Sequence, residues 1–439
     1  LLGTCVLMEI RVPAPVERII GQLNEHGYEA YIVGGCVRDM LLNREPGDWD
    51  ITTSALPGQV KELFHRTVDT GIQHGTVTVM VGKEGYEVTT FRVDGEYEDG
   101  RHPKSVAFTP NLTEDLKRRD FTINAMAYNK ATGFVDEFGG VEDLRRGIIR
   151  CVGEPMDRFT EDALRILRAI RFSAQLGFEI EERTLEAIRV IAPNLAKVSK
   201  ERVQVELTKL LCSAHPERIA LVYETGISRY VSGTFHEIYG EGMPGTVNAP
   251  EDYSGVRTEE NSPAASGGLF GPSPIPAIPV SIPPQKHLRW AAFLRKATPD
   301  QAFTVLKDLK LDNDTISRVK TLVDLLGQPL TPEKPDLRRV MSRIEPALYD
   351  DLLDLKEALL PFGVPETGDD LRRARALSGE IRRDGDCLDL KSLAVKGRDV
   401  MDAGVKPGKA VGETLAALLE LVLEDPSRNT RDYLLQHLK

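Results

Sequence analysis

Two carboxylates near the N-terminus are the residues of this sequence with the clearest capacity for chemistry. Asp48 and Asp50 stand two positions apart, so in an extended segment over residues 48–52 both side chains would share one face. Neighbouring carboxylates repel each other unless cations lie between them, and magnesium takes carboxylate together with phosphate oxygens. The spacing predicts a Mg²⁺ site with Asp48 and Asp50 as metal ligands. A metal pair there could clamp the attacking and the leaving oxygens of a phosphoryl transfer.

A glycine pair just upstream predicts a phosphate site. Residues 31–33 are aromatic and β-branched, which indicates a buried strand, and Gly34 and Gly35 then lead into helical spacing over residues 36–42. A strand that turns through glycines into a helix leaves N–H groups uncovered and lets a phosphate approach the main chain. Arg38 adds a positive charge in the first helical turn. Each motif is common alone, but their order is much more specific.

The composition is that of an ordinary soluble protein. The chain has 439 residues, is 41% hydrophobic and carries a formal net charge of −11, which fits two to four domains. The net negative charge argues against a protein whose whole surface is basic and binds nucleic acid. RNA binding would therefore need basic residues gathered on one surface. Five scattered cysteines without a C-x-x-C motif indicate neither a disulfide framework nor zinc, which fits the cytoplasm. No apolar run is long enough to span a membrane.

The periodicity predicts an α+β fold, in which a small domain with a β-sheet and helices precedes a mostly helical remainder. Strands over residues 76–81 and 86–91 leave two interpretations of Glu87 open, a third member of the acidic cluster or an ordinary solvent-facing residue. Residues 93–116 are polar and predict a mobile loop or lid. Helical spacing is predicted to return over residues 117–127, and the basic run at its start is the common pattern of a solvated helix end.

Residues 161–176, EDALRILRAIRFSAQL, predict an amphipathic helix. Asp162, Arg165 and Arg168 recur every three residues and would lie along one side, with Arg171 continuing the row. A row of ion pairs on a helix surface is the usual interpretation. Three aligned arginines, however, repel one another without an anion. A second basic patch, formed by Lys197, Lys200 and Arg202, is interpreted as a solvated turn between helices.

The pair Asp162 and Arg165 could select a nucleobase. A carboxylate accepts from an exocyclic amine, and a guanidinium donates to a ring nitrogen or a carbonyl oxygen. Cytosine and adenine both offer an amine beside an unprotonated ring nitrogen, whereas uracil and guanine reverse that polarity. Such a site would accept CTP and ATP and reject UTP and GTP, because a mismatched polar edge stays unpaired.

Together these segments resemble the class II CCA-adding enzymes, the tRNA nucleotidyltransferases of the bacterial poly(A)-polymerase-like group. The segments that carry the resemblance are IVGGCVRD, GDWDITTSALP, HGTVTV, YEVTTFR, EDLKRRDFTINAMA, RFTEDALRILRAIRF and, near the C-terminus, GRDVMDAGVKPGKAVGETLAALLELVLE. The resemblance implies a nucleotidyltransferase head over residues 1–150, a helical neck over 151–230, a body over 287–360 and a tail over 361–439. The composition, in contrast, predicts a flexible Pro- and Gly-rich insertion over 231–286, where relatives are usually more compact.

The resemblance also implies roles for individual residues. It implies catalytic roles for Asp48, Asp50 and Glu87, with Mg²⁺ as the cofactor. It implies nucleotide binding by Gly35, Arg38, Arg119, Asp162, Arg165, Arg168 and Arg171. The implied partners are CTP, ATP and the acceptor and TΨC arms of tRNA, and a homodimer is left open. None of the eight histidines is followed by Asp, so the metal-dependent HD phosphohydrolase activity of some relatives is not expected.

Four functions remain open at this point. Addition of CCA to tRNA leads, because the long basic C-terminal extension typical of poly(A) polymerases of this group is absent from this sequence. An A-adding enzyme and a poly(A) polymerase share most of the same motifs. A catalytically silent RNA-binding protein on the same scaffold is the alternative from a different class.

Overall fold

A mixed β-sheet organises the first part of the chain in a computed structural model, which describes residues 11–95, 106–240 and 278–438. Its strands and those of a small neighbouring hairpin are β1 (Ala30–Val33), β2 (Ile51–Thr53), β3 (Thr67–Gly71), β4 (Thr76–Val81), β5 (Glu84–Thr90), β6 (Arg92–Asp94), β7 (Val106–Phe108), β8 (Ala127–Asn129) and β9 (Gly133–Val135). Within the described residues, seven of them form one sheet in the order β3-β4-β5-β2-β1-β8-β9.

The centre of this sheet is its most buried part, and it carries the predicted chemistry. Every residue of β1 is buried, and it pairs antiparallel with β2 on one side and with β8 on the other. In contrast, β2 and β5 run parallel, with Ile51 opposite Val88. Phe91, immediately after β5, is fully buried in the cluster that contains Tyr31 and Val33. The segments beside β1 are therefore held on a rigid apolar base.

Helices cover the sheet, and the part of the chain that follows the sheet is mostly helical. Those of the sheet-containing part are α1 (Ala14–Glu25), α2 (Gly35–Leu41), α3 (Pro57–Leu63), α4 (Leu112–Lys117) and α5 (Gly140–Arg146). Those that follow are α6 (Pro155–Glu161), α7 (Leu164–Leu176), α8 (Glu182–Ile191), α9 (Lys200–Leu211), α10 (Ala220–Glu224), α11 (Ser228–Val231) and α12 (Gly233–Gly240), together with a short parallel pair of strands, β10 (Ile148–Ile149) and β11 (Glu179–Ile180). The predicted α+β class is confirmed.

Four local predictions are wrong. The strand predicted within residues 48–52 is confined to β2, so both acids precede it in sequence. Residues 117–127 form the end of α4, a 3₁₀ turn and the start of β8 rather than one helix. The predicted helix over residues 161–176 is interrupted between α6 and α7, because Asp162 has extended backbone angles, φ −143° and ψ 102°. The predicted loop over residues 93–116 contains strand β7 and most of α4; its residues 96–105 lie outside the described ranges.

The C-terminal part of the chain is a separate compact unit, Ile275–Lys439, whereas Leu1–Pro274 form the other. Its helices are α13 (Lys286–Phe293), α14 (Pro299–Asp308), α15 (Asn313–Leu326), α16 (Lys334–Met341), α17 (Pro346–Leu359), α18 (Gly368–Asp384), α19 (Gly397–Asp402), α20 (Lys409–Glu424) and α21 (Arg431–Gln436). Within the predicted insertion over residues 231–286, α12 is helical, and residues 241–277 lie outside the described ranges. In the described part of the chain, no helix combines the length and hydropathy needed to cross a membrane.

A buried ion pair lies inside this second unit. The Lys356 ammonium donates to Glu366 and to the carbonyl oxygen of Gln328, at 2.7 and 2.8 Å, and its side chain is 1% exposed. The same carboxylate oxygen accepts from the Leu330 N–H at 2.7 Å. Because both side chains are buried, removing one would leave the other charge without a partner and without hydration. The pair and its hydrogen bonds connect α17 to the segments before α16 and α18.

Candidate active site

The glycine pair ends β1 and begins α2, as predicted. Gly34 has φ +81°, a backbone conformation that glycine adopts without a steric penalty, and Gly35 is the first residue of the helix. A Cβ atom on Gly34 would lie 2.9 Å from Nη1 of Arg119. Glycine at this turn is therefore needed twice, for its backbone angles and for the close approach of a guanidinium. As a result, two arginines, Arg38 and Arg119, flank the predicted phosphate site.

The sheet brings the acidic residues together. The carbonyl oxygen of Asp50 accepts a hydrogen bond from the Val33 N–H at 3.0 Å, which holds the residues before β2 against the end of β1. Because β2 and β5 are parallel with Ile51 opposite Val88, the preceding residues, Asp50 and Glu87, are neighbours. Asp48 lies two residues before Asp50 on the same exposed segment.

Loss of hydration and neighbouring charges both act on two of these acids. Loss of hydration raises the pKa of Asp50, the Arg119 guanidinium opposes that rise, and the negative charge of Asp48 adds to it. Loss of hydration also raises the pKa of Glu87, and the charges of Asp50 and Asp48 raise it further. Asp50 and Glu87 keep part of their surface open to solvent. The three carboxylates thus form a local concentration of negative charge that a cation would relieve.

A metal at this point would need ligands from outside the chain. Among the residues that the structure describes, no group of three or more His, Cys, Asp or Glu side chains is arranged to hold a metal ion by itself. Two or three mutually repelling carboxylates at the mouth of a glycine turn nevertheless fit a divalent cation whose other ligands are water and phosphate oxygens. Asp48 and Asp50 are the residues that could hold it.

Arg119 is positioned by a buried carboxylate. Its Nη2 lies 3.5 Å from Oδ2 of Asp115, whose side chain is fully buried and also accepts from the Thr52 hydroxyl at 3.3 Å. Burial alone would raise the pKa of Asp115, but the positive charges of Arg118 and Arg119 outweigh it and lower that pKa. The Nε of Arg119 is buried and has no hydrogen-bond partner within the described ranges. A donor in that condition fits an anionic ligand.

Asp162 occupies the junction between α6 and α7, and both of its carboxylate oxygens have partners. Oδ1 accepts from the Leu164 N–H at 3.0 Å, so Asp162 satisfies one of the free donors at the start of α7. Oδ2 accepts from Nη2 of Arg202, on α9, at 2.7 Å. At the break in the helix, two neighbours that the three-residue spacing does not reveal therefore hold this carboxylate in place.

Arg165 is engaged in a similar way. Its Nη1 donates to Glu161 at 2.7 Å and to the carbonyl oxygen of Arg158 at 3.0 Å, while its Nη2 donates to the carbonyl oxygen of Arg118 at 3.2 Å. Arg118 immediately precedes Arg119. This contact therefore joins the residue predicted to read the base to the segment that carries a residue predicted to bind the nucleotide.

Arg168 forms the next link between the two parts of the site. Its Nε and Nη2 both donate to Oδ2 of Asp120, at 2.8 and 2.6 Å. Asn124 donates to the other oxygen of Asp120 at 3.1 Å and accepts from Nη1 of Arg38 at 2.8 Å. Burial would raise the pKa of Asp120, but the charges of Arg168 and Arg165 hold it below its ordinary value. A continuous polar chain thus runs from Arg38 on α2 to Arg168 on α7.

Arg171 lies deeper than the other arginines of its row. Its side chain is 8% exposed, and it donates to Glu206 and to Gln175, both at 2.7 Å. Direct contact with a nucleotide would require these bonds to break, so a supporting role is the one that this position favours.

Several residues of the site were not recognised from the sequence. Asp120 and Asn124 belong to the quoted segment EDLKRRDFTINAMA. The available signal was an acidic residue placed directly between two arginines and an apolar stretch. Arg202 was assigned to a solvated turn, because its partner Asp162 lies forty residues away along the chain. Glu206 carried no sequence signal.

Comparison with known proteins gives this arrangement a family. Residues 30–150 match the model described as "Poly A polymerase head domain", and residues 177–234 match "Probable RNA and SrmB- binding site of polymerase A". The chain is 37% identical over 426 residues to a CCA-adding enzyme of Limosilactobacillus fermentum, covering 96% of this chain and 95% of that one. It is 38% identical over 417 residues to a CCA-adding enzyme of Geobacillus thermodenitrificans, covering 94% and 93%.

A solved structure agrees over the same length. The crystal structure of the Bacillus stearothermophilus CCA-adding enzyme in complex with CTP superposes with a TM-score of 0.74, at 31% identity and with 97% of each chain covered. The family resemblance of the quoted segments is confirmed: this chain belongs to the CCA-adding enzymes.

Proposed function

We propose that this protein adds C, C and A to the 3′ end of tRNA, using CTP and ATP and no nucleic-acid template. One contact carries the proposal: the hydrogen bond from Arg165 to the carbonyl oxygen of Arg118, at 3.2 Å. It joins the residues suited to reading a base to the segment of Arg119, which lies beside the glycine turn and the acids. A nucleotide bound with its triphosphate at that turn would present its base toward Asp162 and Arg165.

Each residue would have a distinct task. Gly35 offers its backbone N–H to the triphosphate, and Arg38 and Arg119 supply positive charge beside it. Asp162 accepts from the exocyclic amine of cytosine or adenine, and Arg165 donates to the neighbouring ring acceptor. Arg168 and Arg171 support this pair from α7. Uracil and guanine would place donor against donor and acceptor against acceptor, so they would be rejected.

We also propose Mg²⁺ as the metal, held by Asp48 and Asp50, with Glu87 adding negative charge beside them. When bound, such an ion would activate the 3′ hydroxyl of the tRNA and neutralise charge on the pyrophosphate that leaves. The repulsion between these carboxylates supports this assignment. Beyond the loss of hydration that raises the pKa of both Asp50 and Glu87, the charge of Asp48 adds to each rise, and the charge of Asp50 adds to that of Glu87. The transfer joins the α-phosphorus to the 3′ oxygen and releases pyrophosphate.

The remaining helices would serve the RNA. We propose that residues of the body and tail, over 287–360 and 361–439, contact the acceptor and TΨC arms of tRNA. The match of residues 177–234 to a region described as a probable RNA-binding site supports RNA contact by the neck as well.

The test is a nucleotide-incorporation assay. The protein is incubated with MgCl₂, with CTP and ATP of which one is labelled, and with tRNA transcripts that end either before CCA or after CC. We expect two C and one A on the first transcript and one A on the second. Incorporation of A alone, only on the CC-ending transcript, would identify an A-adding enzyme; long A tails on any RNA would identify a poly(A) polymerase. No incorporation would leave an RNA-binding protein.

A matched pair of variants makes the assay specific to the site. Asp48→Ala removes a proposed metal ligand, whereas Asp157→Ala removes an exposed carboxylate on α6. We expect the first to abolish incorporation and the second to leave it unchanged.

A further inference from the structure

Three arginine side chains surround one buried aromatic ring. The guanidinium carbons of Arg38, Arg168 and Arg171 lie 5.1, 5.5 and 3.6 Å from the centroid of the Phe172 ring. Phe172 is 5% exposed. Cations within about 6 Å of an aromatic centroid are attracted by the ring quadrupole, and the attraction grows as the groups lose solvent.

The ring itself is fixed. Phe172 lies on α7 and meets the ring of Phe121 edge-on, with centroids 5.7 Å apart and an interplanar angle of 79°. Phe121 is fully buried. This arrangement is one that aromatic pairs prefer, and it prevents the Phe172 ring from turning freely against its neighbours.

The arginines reach the ring from two different parts of the first unit. Arg168 and Arg171 share α7 with Phe172, but Arg38 comes from α2, beside the glycine turn. Arg38 and Arg168 are also linked to each other by the hydrogen bonds through Asn124 and Asp120. The ring and the polar chain therefore contact the same two guanidiniums, those of Arg38 and Arg168.

We propose that Phe172 is a positioning residue that sets the Arg38 guanidinium for triphosphate binding. The ring face fixes the plane of Arg38, while Asn124 and Asp39 fix its rotation by accepting from Nη1 and Nε at 2.8 and 2.9 Å. The proposal rests on the assignment of Arg38 to the triphosphate made above. It makes triphosphate binding depend on α7, the helix that begins beside the base-reading pair.

This role predicts a particular pattern of loss. The triphosphate is common to CTP and ATP, so loss of the ring should weaken both nucleotides by the same factor and leave base choice intact. RNA binding should not change, because none of the groups around the ring is assigned to it. A general loss of folding would instead reduce turnover and RNA binding together.

The experiment compares three variants of the full-length protein. Phe172→Leu keeps an apolar side chain and removes the ring, Phe172→Tyr keeps the ring face, and Phe235→Leu makes the same change at another fully buried ring of this unit. For each we would measure KM and kcat for CTP and ATP, the inhibition constant of inorganic tripolyphosphate, and the dissociation constant for tRNA.

We expect Phe172→Leu to raise both KM values and the tripolyphosphate inhibition constant about tenfold, within the range of partly desolvated cation–π contacts. Phe172→Tyr should restore all three to within about twofold, and Phe235→Leu should leave them unchanged. Unchanged KM values in Phe172→Leu, or equal losses in the Leu and Tyr variants, would overturn the proposal.

A double-mutant cycle provides a second test. If Phe172 acts through Arg38, the effects of Phe172→Leu and Arg38→Lys on tripolyphosphate binding will not add; additive effects would overturn the proposal. Calorimetric binding of tripolyphosphate needs no turnover, so this result stands apart from the proposed function. That function would fail separately, if the unmodified protein incorporated neither CTP nor ATP.

Discussion

Replacing Asp120 by Asn should loosen the contact between the sheet-containing part and α7. Asp120 is 8% exposed and accepts two hydrogen bonds from Arg168 through Oδ2, while Oδ1 accepts from Asn124 and from the Phe121 N–H. Asn can keep the bonds to Oδ1, but it would turn an amide donor toward the donors of Arg168. The variant therefore loses a charge-assisted pair and retains the rest.

The size of the loss follows from how much water can reach Arg168. Breaking a fully buried ion pair costs about 3–5 kcal/mol. The Arg168 side chain is 34% exposed and can be partly rehydrated, so we expect a smaller cost of about 2–3 kcal/mol. Every 1.4 kcal/mol is a factor of ten. Hydrogen exchange of the α7 amides should therefore quicken about 30- to 150-fold.

Hydrogen exchange followed by mass spectrometry can measure the exchange rates of the α7 peptides separately, with peptides of α17 in the second unit as the internal reference. Asp157→Asn, on the exposed face of α6, is the matched control and should leave α7 protection within about twofold. Protection of α7 in Asp120→Asn that matches the control would refute the reasoning.

The same carboxylate should give this contact a defined pH dependence. The pKa of Asp120 lies below its ordinary value of 3.8, because the arginines outweigh burial. The stability it contributes is therefore complete above that ordinary value and is lost as the pH falls toward the lower, folded-state pKa. We expect the difference in α7 protection between the unmodified protein and Asp120→Asn to be constant from pH 7 to 5 and to shrink below pH about 4.

Three further outcomes are expected. Asp48→Ala should reduce incorporation of both nucleotides by at least about a thousandfold, the loss of several kcal/mol of metal stabilisation, while tRNA binding measured by filter retention persists; retained turnover would remove Asp48 from the metal site. Asp162→Ala should narrow the preference for CTP over UTP, measured as a ratio of kcat/KM, about ten- to a hundredfold; an unchanged ratio would remove Asp162 from base selection. Lys356→Met should destabilise the second unit by about 3–5 kcal/mol in urea unfolding, and Lys356→Met with Glu366→Gln should recover part of that loss; equal stability of the two variants would show that the stranded carboxylate is not the cause.

The family of this chain could be predicted from its sequence better than its local geometry. Local patterns were sufficient where one segment carries the whole signal, as in the strand, glycine turn and helix around Gly34. They failed where backbone conformation depends on a distant partner. The apolar spacing of residues 161–176 continues through Asp162 and predicts one helix, yet the carboxylate accepts from the Leu164 N–H at the start of α7 and pairs with Arg202. No periodicity records a contact across forty residues.

The arginine row shows the same limit. The spacing predicts that these arginines repel one another unless an anion lies beside them, and the structure supplies Asp120 and Glu206 as protein counter-ions. Sequence spacing gave the side of the helix on which these arginines lie, but not the depth of each one. Burial separates Arg171 from Arg168, and burial is set by α9, a helix thirty residues further along the chain.

The hydrogen bonds that Asp162 already accepts affect how such an enzyme could choose between nucleobases without binding the chosen one tightly. Both oxygens of that carboxylate already accept hydrogen bonds from Leu164 and Arg202, and Arg165 already donates to three acceptors. A correct base would compete with some of these partners, so its arrival gains less free energy than its own hydrogen bonds supply, whereas an incorrect base displaces them without replacing them. Discrimination of that kind works through rejection, and it leaves each newly joined nucleotide free to vacate the pocket for its successor.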